Sequence, residues 1–291
     1  MKQQNRLMVE IACTAVNKTK SKGILLYGDL IEDYEGLAKI GQERKVDLML
    51  AIQDENSFQE ACAFFKNVLR IPNFPLGRTN QIKMAIIQAL SKGLVQKGDR
   101  WVCLSGMPKS KALDNLLILD LGKEFEILSS PDLPIISEIV RPEVFEAILN
   151  LALEISNEGK EGRKPIGTIF VLGKHEETLK FSHPMVINPF QGYPEEERNV
   201  LDHRLKETVK EFATIDGAFI FREDGVILAA GRHLDASGED LEIPLGLGSR
   251  HRAAAGITRL TEALAIVISE ETGSIRIFHR GKILLEIGKG E

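Results

Sequence analysis

The sequence has no hydrophobic run long enough to cross a membrane, and it is poor in cysteine. No stretch approaches the ~20 apolar residues that a spanning helix needs, and residues 1–16 lack the apolar core and cleavage site of a signal peptide. The three cysteines, Cys13, Cys62 and Cys103, show no CxxC spacing. This pattern argues against a structural zinc site and for a reducing compartment, so we expect a cytoplasmic location.

The sequence also lacks a large excess of either charge. With 37 basic and 42 acidic residues the formal net charge is −5, which gives no argument for binding nucleic acid or a membrane surface. The loop at 105–115 follows a predicted strand, but it carries neither GxGxxG nor GxxxxGK[ST]. Any nucleotide site must therefore come from a local cluster of charge elsewhere in the chain.

The first half of the chain alternates short apolar runs with segments of helical periodicity. The runs have turn residues at both ends, and this alternation predicts an α/β domain with a mostly parallel sheet. A proline-rich break at 129–141 then predicts two domains, over residues 1–135 and 136–291. The apolar runs of the first domain lie at 23–29, 46–53, 68–73, 100–106 and 115–122.

Three short segments in the second half bring charges close together along the chain. A predicted helix over 195–214 leads to Asp216-Gly217-Ala218. GLGSRHRAAAGIT spans 246–258, and Ser269-Glu270-Glu271 closes an apolar run. An acidic turn, a basic helix start and an acidic strand end together suggest a site for a polyphosphate and a metal ion.

The middle segment has the features of an anion-binding helix start. Ser249 stands where an N-cap belongs, and a helix from Arg250 would direct free backbone N–H groups at an anion. Arg250 and Arg252 add forked donors that suit phosphate oxygens, and His251 between them can also carry positive charge. A solvated basic helix start is the alternative. The carboxylates on neighbouring apolar strands argue against it, because an unpaired charge there is costly.

The motifs DGA, GSRHRAAAG and SEETG, in this order, resemble those of the diadenylate cyclase domain, which makes cyclic di-AMP from two ATP. GTIFVLG and INPFQG match the family's order ahead of them, so the resemblance covers roughly 140–287. The family usually has Thr where this chain has Ser249, and the hydroxyl is retained. In the first domain, LSGMPKSKALDNLLIL resembles the C-terminal domain of pyruvate kinase, which implies a regulatory role.

The resemblance implies a role for each candidate residue. It makes Asp216 and Glu271 ligands of a divalent metal, Mn²⁺ or Mg²⁺, with Glu270 as a further candidate. The implied catalytic residues are Asp216, Arg250, His251 and Glu271. The implied ATP contacts are Gly217, Ala218, Leu234, Ser249, Arg250, His251, Arg252, Ala253, Ser269 and Glu270.

The resemblance also implies a fold and partners. We expect an α/β diadenylate cyclase domain with a mixed central sheet flanked by helices, which binds ATP and works as a face-to-face homodimer or higher homo-oligomer. A domain that senses ATP or cyclic di-AMP without turnover is the alternative. Nucleic-acid binding is not expected, because no segment resembles a helix-hairpin-helix motif. The preferred metal, the oligomer size and the ligand of the first domain stay open.

Overall fold

A computed structural model describes residues 2–72, 76–96, 98–107, 110–121, 136–158, 166–236, 244 and 246–288. Contacts within the chain divide it into two compact units, residues 1–131 and 132–289. Most of the proline-rich break predicted at 129–141 lies outside the described residues, and its last part forms a short helix, Ile136–Ile139.

The first unit alternates strands and helices as its sequence predicts. Its helices are α1 (Gln3–Thr19), α2 (Tyr34–Arg44), α3 (Glu55–Cys62) and α4 (Arg78–Ser91). Its strands are β1 (Gly23–Tyr27), β2 (Asp47–Ile52), β3 (Asn67–Arg70), β4 (Arg100–Ser105) and β5 (Asn115–Asp120).

The sheet of the first unit is mixed, which corrects the expectation of a mostly parallel sheet. Its strand order is β3-β2-β1-β4-β5. The first four strands run parallel, whereas β5 pairs with β4 in the antiparallel direction, with Arg100 opposite Asp120. Only residues 106–114 join these two strands, and a parallel crossover needs a dozen or more residues. The short connection therefore forces the last strand to turn back.

The second unit contains the segments with the candidate chemistry. Its helices are α5 (Ile136–Ile139), α6 (Pro142–Glu158), α7 (His175–Lys180), α8 (Leu205–Phe212) and α9 (Ser249–Thr261). Its strands are β6 (Thr168–Leu172), β7 (Ser182–Pro184), β8 (Ala218–Phe221), β9 (Ile227–Leu234), β10 (Leu264–Ile268), β11 (Ile275–His279) and β12 (Lys282–Ile287).

The strands of the second unit form one mixed sheet between helices. The strand order is β12-β11-β10-β6-β8-β9-β7. Among the strand pairs of the described residues, β6 and β8 run parallel and the other neighbours run antiparallel. One face packs on α9 through small and branched side chains such as Val171 and Ala255. The opposite face carries Phe170 edge-on to Phe219 and Phe221, at 5.4 and 5.6 Å between ring centroids. The mixed sheet flanked by helices is the architecture that the family resemblance implies.

A glycine inside α9 sets how closely that helix approaches the chain after β9. A Cβ atom at Gly256 would lie 2.8 Å from the Cβ of Ala236 and 2.9 Å from its carbonyl oxygen. Glycine in a helix interior costs about 1 kcal/mol relative to alanine. The close packing of α9 explains why it is tolerated here, and this packing fixes the position of the N-terminus of the helix.

The predicted helix over 195–214 is wrong in its first half. A 3₁₀ turn covers Glu195–Arg198, and the α-helix spans only Leu205–Phe212. Between them, the side chains of Asn199 and Asp202 accept hydrogen bonds from the backbone N–H groups of Leu201 and Arg204, at 3.0 Å each. Such local side-chain hydrogen bonds compete with the hydrogen bonds of a helix. The charge pattern therefore predicts a longer helix than the structure contains.

A fragment of residues 136–291 should fold alone, because the second unit has its own sheet and core. We expect a single cooperative unfolding transition in urea, with a slope proportional to the surface of this fragment alone. Far-ultraviolet circular dichroism and the NMR signals of buried methyl groups should give the same midpoint. A fragment that is collapsed without a cooperative transition would contradict the proposed domain boundaries, 1–135 and 136–291.

Candidate active site

The site is organised around the N-terminus of α9. The helix begins at Ser249 and Gly248 is its N-cap, so the expectation of an N-cap at Ser249 is wrong by one residue. The carbonyl of Gly248 accepts from the amides of His251 and Arg252, at 3.1 and 3.3 Å. The amides of Ser249 and Arg250 precede the first intrahelical donor, and such groups are available to an anion.

Two cavities adjoin this helix start. The first, of about 280 Å³, is lined by residues 246–251, by the turn 268–272 and by Arg276. The second, of about 190 Å³, is lined by Asp216, by parts of β6, β8 and β9, and by Met185. Ser249 and Arg250 line both. A ligand that occupied both cavities would therefore pass over the first turn of α9.

Arg250 links two carboxylates that are far apart in the sequence. Its Nη1 donates to Glu270 Oε2 at 2.7 Å, and its Nη2 donates to Asp216 Oδ1 at 3.1 Å. The Arg250 side chain is 30% exposed, whereas those of Asp216 and Glu270 are 69% and 51% exposed. A Cβ atom at Gly167 would lie 2.9 Å from Arg250 Nη1, so this position leaves room for the guanidinium.

The close approach of the chain before β8 to β9 requires glycine at position 217. Its φ is +114°, and a Cβ atom there would lie 2.7 Å from the backbone nitrogen of Arg232 on β9. Its N–H donates to Asp216 Oδ1 at 3.1 Å, which helps to orient that carboxylate. Gly217 also lines the second cavity, so a close approach of a nucleotide would use a position that strand packing already demands.

Glu270 and Glu271 both line the first cavity. They lie beyond the end of β10 at Ile268, in a turn where the amide of Gly273 donates to the carbonyl of Ser269 at 2.8 Å. The strand alternation that would place them on opposite faces does not apply in this turn. Arg250 contacts Glu270, and the buried Ser269 accepts from the Thr272 amide at 3.3 Å, which gives it a structural role in the turn.

His251 lies in the wall of the first cavity and is almost fully buried, with 6% exposure. Burial, followed by the positive charge of Arg276, lowers the pKa of His251 to about 4. The ring is therefore neutral at pH 7, and it does not add a positive charge to those of Arg250 and Arg276. It can still serve as a hydrogen-bond donor or acceptor.

Arg276, on β11, is a site residue that the sequence reasoning missed. It lines the first cavity, its side chain is 15% exposed, and its Nη2 donates to Glu286 Oε1 at 2.5 Å. The signal was present in the sequence as a single charged residue between Ile275 and Ile277 in an apolar strand. A charge in such a strand needs a partner, because burying it unpaired is costly.

The other sequence candidates separate into two groups. Ala218, Leu234 and Ala253 line the second cavity and give it an apolar wall. Arg252 is exposed and lines neither cavity. Residues two apart in a helix lie on different faces, so a helix that directs Arg250 into the site directs Arg252 away from it.

The described residues contain no group of three His, Cys, Asp or Glu side chains that could hold a metal ion alone. Asp216, Glu270 and Glu271 nevertheless line the two cavities, and Asp216 Oδ2 makes no hydrogen bond to a described residue. Mg²⁺ is usually held by one or two carboxylates together with substrate phosphates. This donor set fits a divalent ion that binds together with a nucleotide.

Comparisons with known proteins match both units. The family model described as DisA bacterial checkpoint controller nucleotide-binding matches residues 158–283. A model described as Probable sensor domain DacZ_P matches residues 4–128. The resemblance of the first domain to the pyruvate kinase C-terminal domain is not confirmed.

Relatives match over most of the chain. A diadenylate cyclase of Haloferax volcanii is 30% identical over 273 residues, which are 90% of this chain and 96% of that protein. The chain belongs to the diadenylate cyclase family. A diadenylate cyclase of Methanocaldococcus jannaschii is 35% identical over 206 residues, which are 70% of this chain and 65% of that protein, so this match leaves a third of the relative uncovered.

A solved structure is similar to part of this diadenylate cyclase family member. The crystal structure of a hypothetical membrane spanning protein from Bacillus cereus aligns with a TM-score of 0.41 and 19% identity, over 54% of this chain and 68% of that chain. In the part of the present chain that the structure describes, no helix has the length and apolar character of a membrane span.

The low pKa of His251 should make stability depend on pH. The unfolded chain binds a proton at about pH 6.5 and the folded chain only near pH 4, so the unfolded state binds more protons between these values. Stability should fall as the pH falls through this window. Urea unfolding at pH 7.5 and 4.5 should show that the parent loses about 2 kcal/mol more than His251→Gln.

The matched control is His203→Gln, because the side chain of His203 is almost fully exposed. This variant should keep the pH dependence of the parent. An equal loss of stability in the parent and in His251→Gln would mean that His251 is not held neutral in the folded state.

Proposed function

We propose that this chain condenses two ATP molecules into cyclic di-AMP with release of two pyrophosphates. The observation that carries the proposal is the pair of cavities that meet at Arg250. One is lined by the N-terminus of α9 and by Arg250 and Arg276, and the other has an apolar wall beside an exposed carboxylate. This arrangement suits the two ends of a nucleoside triphosphate, and family membership agrees with it.

The phosphates would occupy the first cavity. The amides of Ser249 and Arg250 and the positive end of the α9 dipole favour an anion there. Arg250 adds a guanidinium that its two carboxylate contacts already hold in place. Because this donor is fixed before the nucleotide binds, little ordering cost is left for the binding step.

The nucleoside would occupy the second cavity. Ile169, Leu234 and Ala253 provide an apolar wall for a base or ribose, and Met185 adds an adaptable contact. Asp216 lies in the same cavity, so its carboxylate can accept a hydrogen bond from a ribose hydroxyl. The triphosphate would then cross the first turn of α9 into the first cavity.

The reaction joins each ribose to the phosphate of the other nucleotide. A 3′-oxygen forms a bond to the α-phosphorus of the other ATP, the bond from that phosphorus to the β-phosphate oxygen breaks, and pyrophosphate leaves. Asp216 would accept the proton of the attacking hydroxyl, and Arg250 would neutralise charge that develops on the phosphates. Ser249 and Arg250 would hold the α-phosphate in line with the attack.

A divalent metal, Mn²⁺ or Mg²⁺, would supply further charge neutralisation on the phosphates. Asp216 would hold it together with Glu271 or Glu270 and the phosphate oxygens. Arg250 joins Asp216 to Glu270, which makes Glu270 as strong a candidate as Glu271. The chain's own contribution is then to orient these carboxylates towards the place where phosphates bind.

The two cavities at the start of α9 would together hold one ATP in each copy of the second unit. Closing the ring needs a second nucleotide, so two copies must face each other, each presenting one ATP. We therefore propose a homodimer or higher homo-oligomer as the active species, in the cytoplasm, with residues 136–291 as the catalytic domain and residues 1–135 as a regulatory domain.

The direct test is incubation with ATP and Mg²⁺ or Mn²⁺, followed by chromatography with mass detection. The expected products are cyclic di-AMP and pyrophosphate in a one-to-two ratio. Binding of ATP with no cyclic product under either metal would favour a sensor of ATP or cyclic di-AMP over an enzyme.

Asp216→Asn should lower turnover by roughly 10²–10⁴-fold, because it removes a proton acceptor and a metal ligand. Affinity for a non-hydrolysable ATP analogue, measured by titration calorimetry, should stay within a few fold. Asp47→Asn is the control, since Asp47 is exposed at the start of β2 in the first unit. Turnover equal to the parent in folded Asp216→Asn would rule out this role.

Dilution should reduce the rate per protomer, because neither copy can supply both the attacking hydroxyl and the attacked phosphorus. Attack requires the 3′-oxygen of one nucleotide to lie within about 3–3.5 Å of the α-phosphorus of the other. The measurement is specific activity against enzyme concentration, with mass determined by light scattering on the same samples. A constant rate per protomer in a demonstrably monomeric sample would refute the face-to-face arrangement.

A further inference from the structure

His251 and Arg276 meet in the wall of the first cavity. Arg276 Nη1 lies 3.1 Å from His251 Nε2, although the residues are 25 positions apart and lie on α9 and β11. Both side chains line the cavity proposed for the phosphates. The contact therefore joins the first turn of α9 to the sheet at the point where a ligand would bind.

The chemistry of the contact assigns the tautomer of the imidazole. A guanidinium carries only donors, so Nε2 must be the acceptor. The proton of the ring then resides on Nδ1, which makes no hydrogen bond to a described residue. In this state Nδ1 is a donor, on a side chain that lines the first cavity.

Arg276 is itself held from the other side. It lies opposite Glu286 in the register of β11 and β12, and its Nη2 donates to Glu286 Oε1 at 2.5 Å. One terminal nitrogen is thus committed to Glu286 and the other to His251. With both engaged, Arg276 is better placed to orient the imidazole than to bind a phosphate in a bidentate manner.

We infer that Arg276, anchored by Glu286, is a positioning residue that holds His251 as the Nδ1–H tautomer, so that this nitrogen donates to a phosphate oxygen of the bound nucleotide. The identity of the ligand rests on the proposed function, whereas the tautomer does not. His251 then acts as a neutral donor with a fixed direction, and the positive charge at the site comes from the arginines. Burial and the charge of Arg276 both lower the pKa of His251, which is consistent with this state.

The first experiment is the tautomer of His251 in the ligand-free parent at pH 7, read from long-range ¹H–¹⁵N correlation spectra. The expected signature is protonation at Nδ1 alone. Protonation at Nε2, or at both nitrogens, would overturn the inference. This measurement needs no substitution, so it decides the tautomer even if the variants below do not fold.

The second experiment is a double-mutant cycle on the binding of α,β-methylene ATP, with Arg276→Met, His251→Ala and the double variant. Each single change should weaken binding on the order of tenfold. If Arg276 acts through His251, the double variant should be no weaker than His251→Ala. Losses that multiply in the double variant would mean that Arg276 contacts the phosphate directly, and would overturn the positioning role.

Two further variants separate positioning from general effects on the fold. Glu286→Gln keeps an oxygen acceptor for Arg276, so the Nδ1–H tautomer should persist in it, whereas Arg276→Met should show a mixture of tautomers. Arg259→Met is the charge-matched control, because Arg259 is exposed on α9 and lines neither cavity. Binding of adenosine, which has no phosphate, should be unchanged in all of these variants.

The inference and the proposed function can fail separately. If the spectra show Nδ1–H and the double-mutant cycle is non-additive, but no cyclic di-AMP forms, the cyclase activity is rejected. The contact between His251 and a phosphate is then still supported. Formation of cyclic di-AMP by a protein whose His251 is protonated at Nε2 would support the cyclase activity and overturn the inferred tautomer. Absence of analogue binding to the parent at millimolar concentration would overturn the phosphate contact.

Discussion

The bridge from Arg250 to Asp216 and Glu270 is the interaction on which the site depends. Asp216 precedes β8, Glu270 follows β10, and Arg250 belongs to the first turn of α9. Exposed ion pairs contribute little to stability, about 0–1 kcal/mol each. The value of this bridge is geometric, because it fixes one guanidinium at the junction of two cavities and aligns two carboxylates on either side.

The fold makes this bridge possible by placing a helix N-terminus against the ends of strands. The small residues of α9 let the helix lie close to β6 and β10, and Gly256 permits contact with Ala236. The cluster of Phe170, Phe219 and Phe221 lies on the opposite face of the sheet, and the α9 face carries mostly small and branched side chains together with Phe278. The geometry at the N-terminus of the helix is therefore a consequence of packing along its whole length.

Neutral and charged donors are divided between adjacent residues of α9. Arg250 forms ion pairs with two carboxylates, whereas His251 is buried next to Arg276 and is neutral at pH 7. Glu286 balances part of the charge of Arg276. Three positive charges are therefore not concentrated on one helical turn.

The sequence determined the order of the elements and the residues DGA, GSRHR and SEE around which the cavities form. These features are local: apolar runs, periodicity and short motifs do not depend on distant contacts. The start of the α-helix within 195–214 and the first residue of α9 were not predicted, because Asx turns and a glycine N-cap decide them. The antiparallel direction of β5 was not predicted either, although the short connection before it is a feature of the sequence.

Only the tertiary structure decided which charges meet. It brought Arg276 into the site, directed Arg252 out of it, and joined Arg250 to Glu270. The physical reason is that an ion pair depends on distances of a few ångströms between segments 20 to 34 residues apart. Such distances are set by the packing of α9 on the sheet, and no local pattern in the chain records them.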